Sequence, residues 1–170
     1  MKPFTRIRSR AVVLDARDID TDRVIPARFL KGTSKEGLGQ HLFSDWPDFP
    51  REAARGAEIL VAGANFGCGS SREHAVWALL DFGFRAVIAP SHADIFRGNA
   101  LKNGLLPIAL PAAPAGELTI DLETQTVVSS SGTHSFTIEP FARRLILAGQ
   151  DELGYLLGLL PRIEAFERCA

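Results

Sequence analysis

Apolar and polar positions keep two different rhythms along this chain, and the change comes near residue 110. Between residues 57 and 110, short unbroken apolar runs alternate with stretches of helical period. AEILVAG (57–63), RAVIAP (85–90) and LLPIAL (105–110) are apolar almost throughout and bounded by turn residues, which predicts buried strands. Between the first two, Ala75, Ala78, Leu79 and Phe82 recur at i, i+3, i+4 and i+7. They form one face of a helix predicted over 71–82, with Gly83 as its stop. SHADIFRGNALKNG (91–104) predicts a second helix, with Ser91 as N-cap and Asp94 three residues on, close to a capping box. The order β-loop-α-β-α-β implies three parallel strands joined by right-handed crossovers.

Outside this block the pattern differs. RAVVLDA (10–16) predicts a short strand. Residues 17–37 are polar and turn-rich and predict a long functional loop, with a helical turn near 27–30 and a short helix over 38–43. After Leu110, ELTIDLETQTVVSSSGTHSFTIEP alternates apolar and polar residues, with turns at 123–125 and 129–132. That period of two predicts an antiparallel meander. From Phe141 the chain ends in helix. The expected fold is a single mixed α/β domain over residues 1–170, with a partly parallel sheet flanked by helices and an antiparallel meander.

Composition narrows the function classes. Of 170 residues, 46% are hydrophobic and 23% charged, with a formal net charge of −1, and this excludes the basic footprint of a nucleic-acid binder. Arg6, Arg8 and Arg10 read as a solvated segment rather than a binding arm. The N-terminus lacks an apolar signal region, and charges interrupt every apolar run before membrane-spanning length. Two cysteines, Cys68 and Cys169, cannot make a disulfide framework, so a reducing cytoplasmic location is expected. They are also too few for an iron–sulfur cluster, which takes three or four thiolates.

The candidate chemistry lies in GANFGCGSSREHAVWALL (63–80), where a glycine-rich turn joins a strand to a helix. Free amides and the positive end of the helix dipole favour an anion there. The loop has no Walker lysine. From Gly67 it reads G-C-G-S-S-R, so it lacks the third Rossmann glycine, and it contains no G-x-S-x-G elbow. What remains is Ser70-Ser71-Arg72. Arg72 offers a planar fork suited to a carboxylate, and a serine hydroxyl among amides and a cation can serve as a base. A plainer alternative stays open, in which Ser70 and Ser71 cap the helix and Glu73 completes the cap. A nucleotide- or anion-binding module without catalysis is the competing function class. Cys68 reads either as a small buried residue or as a thiol with a lowered pKa.

The loop sequence, GFRAVIAPSHADIFRGNALKNGLLPI (83–108) and DIDTDRVIPARFLKGTSKEGLGQHLFSDW (18–46) together resemble the swivelling domain of the aconitase superfamily. Within it they are most similar to the small subunits of bacterial 3-isopropylmalate dehydratases. The resemblance spans nearly the whole chain and implies a swivelling β/β/α-type domain. It implies that Ser70 is the catalytic base and that Ser71 and Arg72 bind a substrate carboxylate. Thr21 and Asp22 would face the site and orient Arg72, although an Asx-turn explains D-T-D equally well. Phe29, Leu30 and Lys31 fall in the loop that reads the variable substituent. Phe29 and Leu30 suit an isopropyl group, while Lys31 faces either an extra carboxylate or solvent. Asn65, Glu73 and His74 belong to the motif as site-orienting residues. The resemblance further implies a [4Fe–4S] cluster on a separate large subunit, no metal or cofactor in this chain, and a small dicarboxylate as substrate. The same chemistry on methylmalate, dimethylmalate or homoaconitate is the alternative. Neither nucleic acid nor membrane is expected as a partner.

Overall fold

A computed structural model describes residues 1–30, 34–112 and 114–168. Its centre is β1 (Arg6–Leu14), which is shared between two partners along its length. Residues Arg6 to Arg10 pair antiparallel with β5, and Ala11 to Leu14 pair parallel with β2. The sequence placed the strand start at residue 10, four residues late. The alternation of Arg6, Arg8 and Arg10 with Ile7 and Ser9 is itself a strand pattern. The arginines are exposed, as expected of a solvated segment, but they lie within a strand: Arg8 ion-pairs with Glu117, and Arg6 lies opposite Asp121 in the register.

A long connection leaves β1 through α1 (Thr21–Val24), 3-10 turns at Ala27–Phe29 and Gly39–His41, and α2 (Arg51–Ala54). The two turns occupy the places expected for helical structure, and α2 was not anticipated. There follow β2 (Ile59–Ala62), α3 (Glu73–Phe82), β3 (Ala86–Ala89), α4 (Asp94–Asn103) and β4 (Leu106–Ala109). The meander is β5 (Glu117–Asp121), β6 (Thr126–Ser129) and β7 (Gly132–Ser135). Together the strands form one seven-stranded sheet in the order β4-β3-β2-β1-β5-β6-β7. The parallel block therefore has four strands, because β1 joins the three read from the sequence.

Burial explains the two rhythms. On β2 and β3, Leu60, Ala62, Val87 and Ala89 face a core that includes Ala75, Val76, Ala78 and Leu79 of α3. Ile59, Val61, Ala86 and Ile88 face a second core with Leu118, Ile120 and Ile146. Both faces are covered, so these strands read as unbroken apolar runs. β5 is buried only at alternate positions and keeps the period of two.

Both helix starts shift relative to the sequence expectation. α3 begins at Glu73, two residues later than predicted, and α4 at Asp94 behind Ala93 as N-cap. The expected cap, Ser91, instead accepts a hydrogen bond from the Asn65 amide at 2.9 Å. Its oxygen braces the glycine loop rather than its own helix. The C-terminal helical stretch is two helices, α5 (Pro140–Ala148) and α6 (Glu152–Glu167). Gly149, at φ 67°, ends the first, and Asp151 caps the second by accepting from the Gly154 amide. No residue of α6 is buried.

Candidate active site

Two segments, 16–22 and 63–72, lie side by side and build the site. Backbone hydrogen bonds run between them along their length: Gly63 N to Ala16 O, Asp18 N to Ala64 O, Gly67 N to Ile19 O and Thr21 N to Cys68 O, at 2.8–3.0 Å. Glycine is required at two of these positions. A Cβ on Gly63 would lie 2.3 Å from the Ala16 carbonyl oxygen, and one on Gly67, where φ is +78°, 2.2 Å from Phe96. Asn65 and Asp18 both take left-handed backbone, with φ 61° and 53°, and the Asn65 side-chain amide donates to Asp18 Oδ1 at 2.8 Å. The loop shape is thus fixed from both sides before any ligand arrives.

At the end of this zipper, Thr21 is 2% exposed and its hydroxyl donates to the Ser70 carbonyl at 3.1 Å. The Arg72 amide donates to the same carbonyl at 2.8 Å. Ser70 is therefore held by its backbone, while the residue as a whole is exposed, as is Ser71. Arg72 is the N-cap residue of α3 and no side chain caps that helix, so the reading of Ser70 and Ser71 as capping residues does not hold. The serines also precede the helix by more than the sequence suggested. Asp22 ion-pairs with Arg72 and fixes the direction of its guanidinium. Asp22 is set in place by α1, whose own N-cap, Asp20, accepts from the Arg23 amide at 2.6 Å.

The remaining expected residues divide into two groups. Glu73 does not complete a cap: its carboxylate accepts from the Asn103 side-chain amide at 2.7 Å. The His74 ring packs against Trp77 at 4.6 Å between centroids. Glu73 thus reaches toward α4, and the His74 ring lies along α3. Phe29 and Leu30 pack against the core on the α3 side of the sheet. Phe29 stacks flat on His41, with centroids 3.8 Å apart and planes 7° off parallel, and the Arg28 guanidinium lies 4.6 Å from the same ring. Arg28 is itself forked onto Asp45, which raises the arginine pKa and lowers that of the aspartate through their mutual hydrogen bonds. Lys31 lies outside the described residues.

Cys68 is not an activated thiol. Burial pushes its pKa up, and Asp20 and Asp18 add to the effect. Among the described residues, no group of three or more His, Cys, Asp or Glu could hold a metal ion. His92, to which the sequence assigned no role, lies directly behind the loop. It forms a bridge with Phe66, and the Phe66 amide bonds to the Ser91 carbonyl at 3.1 Å. Burial lowers its pKa to about 4, partly offset by a hydrogen bond with the Val87 backbone and reinforced by Arg97.

Comparison with known proteins gives this geometry a context. Residues 45–113 match the Aconitase C-terminal domain family, and residues 109–140 match the LeuD_N family. The 3-isopropylmalate dehydratase small subunit of Anaeromyxobacter dehalogenans is 54% identical, over 98% of both chains. That of Solibacter usitatus is 51% identical, over 98% of this chain and 94% of its own. The chain belongs to the 3-isopropylmalate dehydratase small-subunit family. The crystal structure of 3-isopropylmalate dehydratase (leuD) from Methanocaldococcus jannaschii superimposes with a TM-score of 0.79 at 34% identity. It covers 95% of this chain and 99% of that one. The aconitase-type match encloses the glycine loop, α3, β3, α4 and β4, so it carries Ser70 to His74. The LeuD_N match begins at the end of β4 and covers the meander.

Proposed function

We propose that this chain is the small subunit of a hydro-lyase that interconverts 2-isopropylmalate and 3-isopropylmalate by dehydration and rehydration, in leucine biosynthesis. The observation that carries the reading is the Thr21–Ser70–Arg72–Asp22 constellation. It presents an exposed serine on a clamped backbone, beside a guanidinium aimed by a carboxylate. Ser70 Oγ, as the alkoxide, would take the proton from the carbon next to the one bearing the hydroxyl. The C–H electrons would become the C=C bond as hydroxide leaves. In rehydration Ser70 would return the proton to the carbon that lost hydroxide and become the alkoxide again, and hydroxide would add to the carbon that lost the proton. Arg72 and Ser71 would hold one substrate carboxylate through both half-reactions, and Phe29 and Leu30 would receive the isopropyl group.

Ser70, Ser71 and Asp22 are exposed and Arg72 partly so, and that supports a site completed by a large subunit. A [4Fe–4S] cluster held by that subunit would supply a Lewis acid for the hydroxyl. We place the chain in the cytoplasm as one swivelling domain; among the described residues no helix is long and apolar enough to cross a membrane. The test is anaerobic reconstitution with a cluster-bearing large subunit, assayed against isopropylmalate, citraconate and homoaconitate. The chain alone is expected to be inactive and the pair active on isopropylmalate. Ser70→Ala is expected to remove at least about 100-fold of kcat with assembly intact, the loss expected of a general base. Full activity of that variant would remove Ser70 from its role. Preference for homoaconitate would reassign the substrate.

A further inference from the structure

The Asn103 side chain, at the last residue of α4, makes hydrogen bonds with all of its polar capacity. Its amide nitrogen donates to Glu73 Oε1 at 2.7 Å and to the Asn99 carbonyl at 2.9 Å. Its oxygen accepts from Trp77 Nε1 at 3.0 Å and from Lys35 Nζ at 3.1 Å. A carboxamide has two N–H donors and one oxygen with two lone pairs, so nothing is left over. The orientation is forced by the neighbours: an indole can only donate and a carboxylate only accept. Lys35 also lies over the Trp77 ring, 5.1 Å from its centroid, which closes the cluster.

What these contacts join gives the cluster its meaning. Glu73 is the first residue of α3 and follows Arg72 directly. Lys35 follows Phe29 and Leu30 by six and five residues along the chain. We infer that Asn103 is a positioning residue that ties the carboxylate-binding end of the site to the chain leaving the substituent-reading loop. The assignment rests on the function proposed above for Arg72, Phe29 and Leu30. It accounts for Glu73, a motif residue whose side chain turns away from Ser70 toward α4. Asn103 fixes the entry of α3, and with it the direction from which Arg72 approaches its carboxylate.

The chemistry suggests a test in which the polarity of one hydrogen bond is reversed. Asn103→Asp sets two carboxylates against each other where an amide donated, and they repel. Glu73→Gln in the same chain restores a donor–acceptor pair with the roles exchanged. In the reconstituted enzyme, Asn103→Asp is expected to raise KM about tenfold, the cost of one lost charge-assisted hydrogen bond, with kcat within about threefold. The Glu73→Gln/Asn103→Asp double variant is expected to return KM to within about threefold of wild type. Amide hydrogen exchange of the isolated chain supplies an arm independent of turnover. In Asn103→Asp, exchange should rise at residues 72–75, while β2 and β3 stay protected, and the double variant should reverse the rise; residues 35–36 should not loosen, because the new carboxylate still accepts from Lys35. Asn103→Ala removes the acceptor as well and should raise exchange at 35–36 and 72–75 together. Unchanged exchange at 72–75 in Asn103→Asp or at 35–36 in Asn103→Ala, or a double variant no better than the single one, overturns the inference. If the wild-type pair turns over none of the diacids, the proposed function fails, and the exchange arm still decides whether Asn103 couples the two segments.

Discussion

Arg72 ion-pairs with Asp22, and in the proposed function the same guanidinium holds a substrate carboxylate. Its partner Asp22 is half exposed and its own side chain is 28% exposed, so the pair adds at most about 1 kcal/mol to stability. Its value lies in direction, since a guanidinium held at one nitrogen keeps its other N–H groups aimed one way, toward the carboxylate of the proposed substrate. Asp22→Asn keeps the shape and removes the charge. Steady-state kinetics of the reconstituted enzyme should show KM for the diacid raised about five- to tenfold, with kcat changed less and the unfolding midpoint nearly unmoved. An unchanged KM would mean that Asp22 only shapes the turn. At this scale the sequence led to Asp22 and Arg72, whose expected pairing is present as an ion pair. It was silent on Asn103, His41 and Asp45. Each meets its partners through tertiary contact, and a lone Asn before a helix-ending glycine has no pattern to announce it.

Among the elements, the glycine loop is held by α4 as much as by the strand before it. Gly67 lies against Phe96 of α4 in a backbone conformation that L side chains rarely adopt. Gly67→Ala therefore combines backbone strain with overpacking and should cost about 2–4 kcal/mol, read from urea unfolding. Gly98→Ala is the matched control within α4. Its Cβ would meet nothing within 4 Å, and helix propensity predicts a gain of about 0.5–1 kcal/mol. Equal effects of the two would show that contact with Phe96 does not constrain the loop. The buried strands were legible because both of their faces are covered, which leaves an unmistakable apolar run. Helix starts were less so: Ser70, Ser71 and Ser91 look like caps, but a serine oxygen serves whichever amide the fold brings closest, and here the loop uses Ser91.

Across the whole molecule, β1 is where the parallel and antiparallel halves meet, and its position was not readable because its partner β2 follows only after the long connection. The glycine loop caps this arrangement, and His92 sits behind it, bridged to Phe66 and stacked on Phe96 with planes 7° apart. A half-buried imidazole whose Nε2 is fully enclosed makes global stability depend on pH. In the unfolded chain His92 titrates near its ordinary 6.5, and in the native state only near 4. Between those values the unfolded state binds more protons, so stability is full above about pH 7 and falls as pH drops toward 4. Below that the native state also takes the proton and the loss levels off. From pH 7.5 to 5.0 this one group should remove up to about 2 kcal/mol. Urea titrations at the two pH values should show wild type losing about that much more stability than His92→Gln, which cannot titrate. Equal losses in the two proteins would assign the acid sensitivity elsewhere. Because Ser91 and Ala93, on either side of His92, hold Phe66 through backbone hydrogen bonds, hydrogen exchange on acidification should rise at residues 66–68 as that stability is lost.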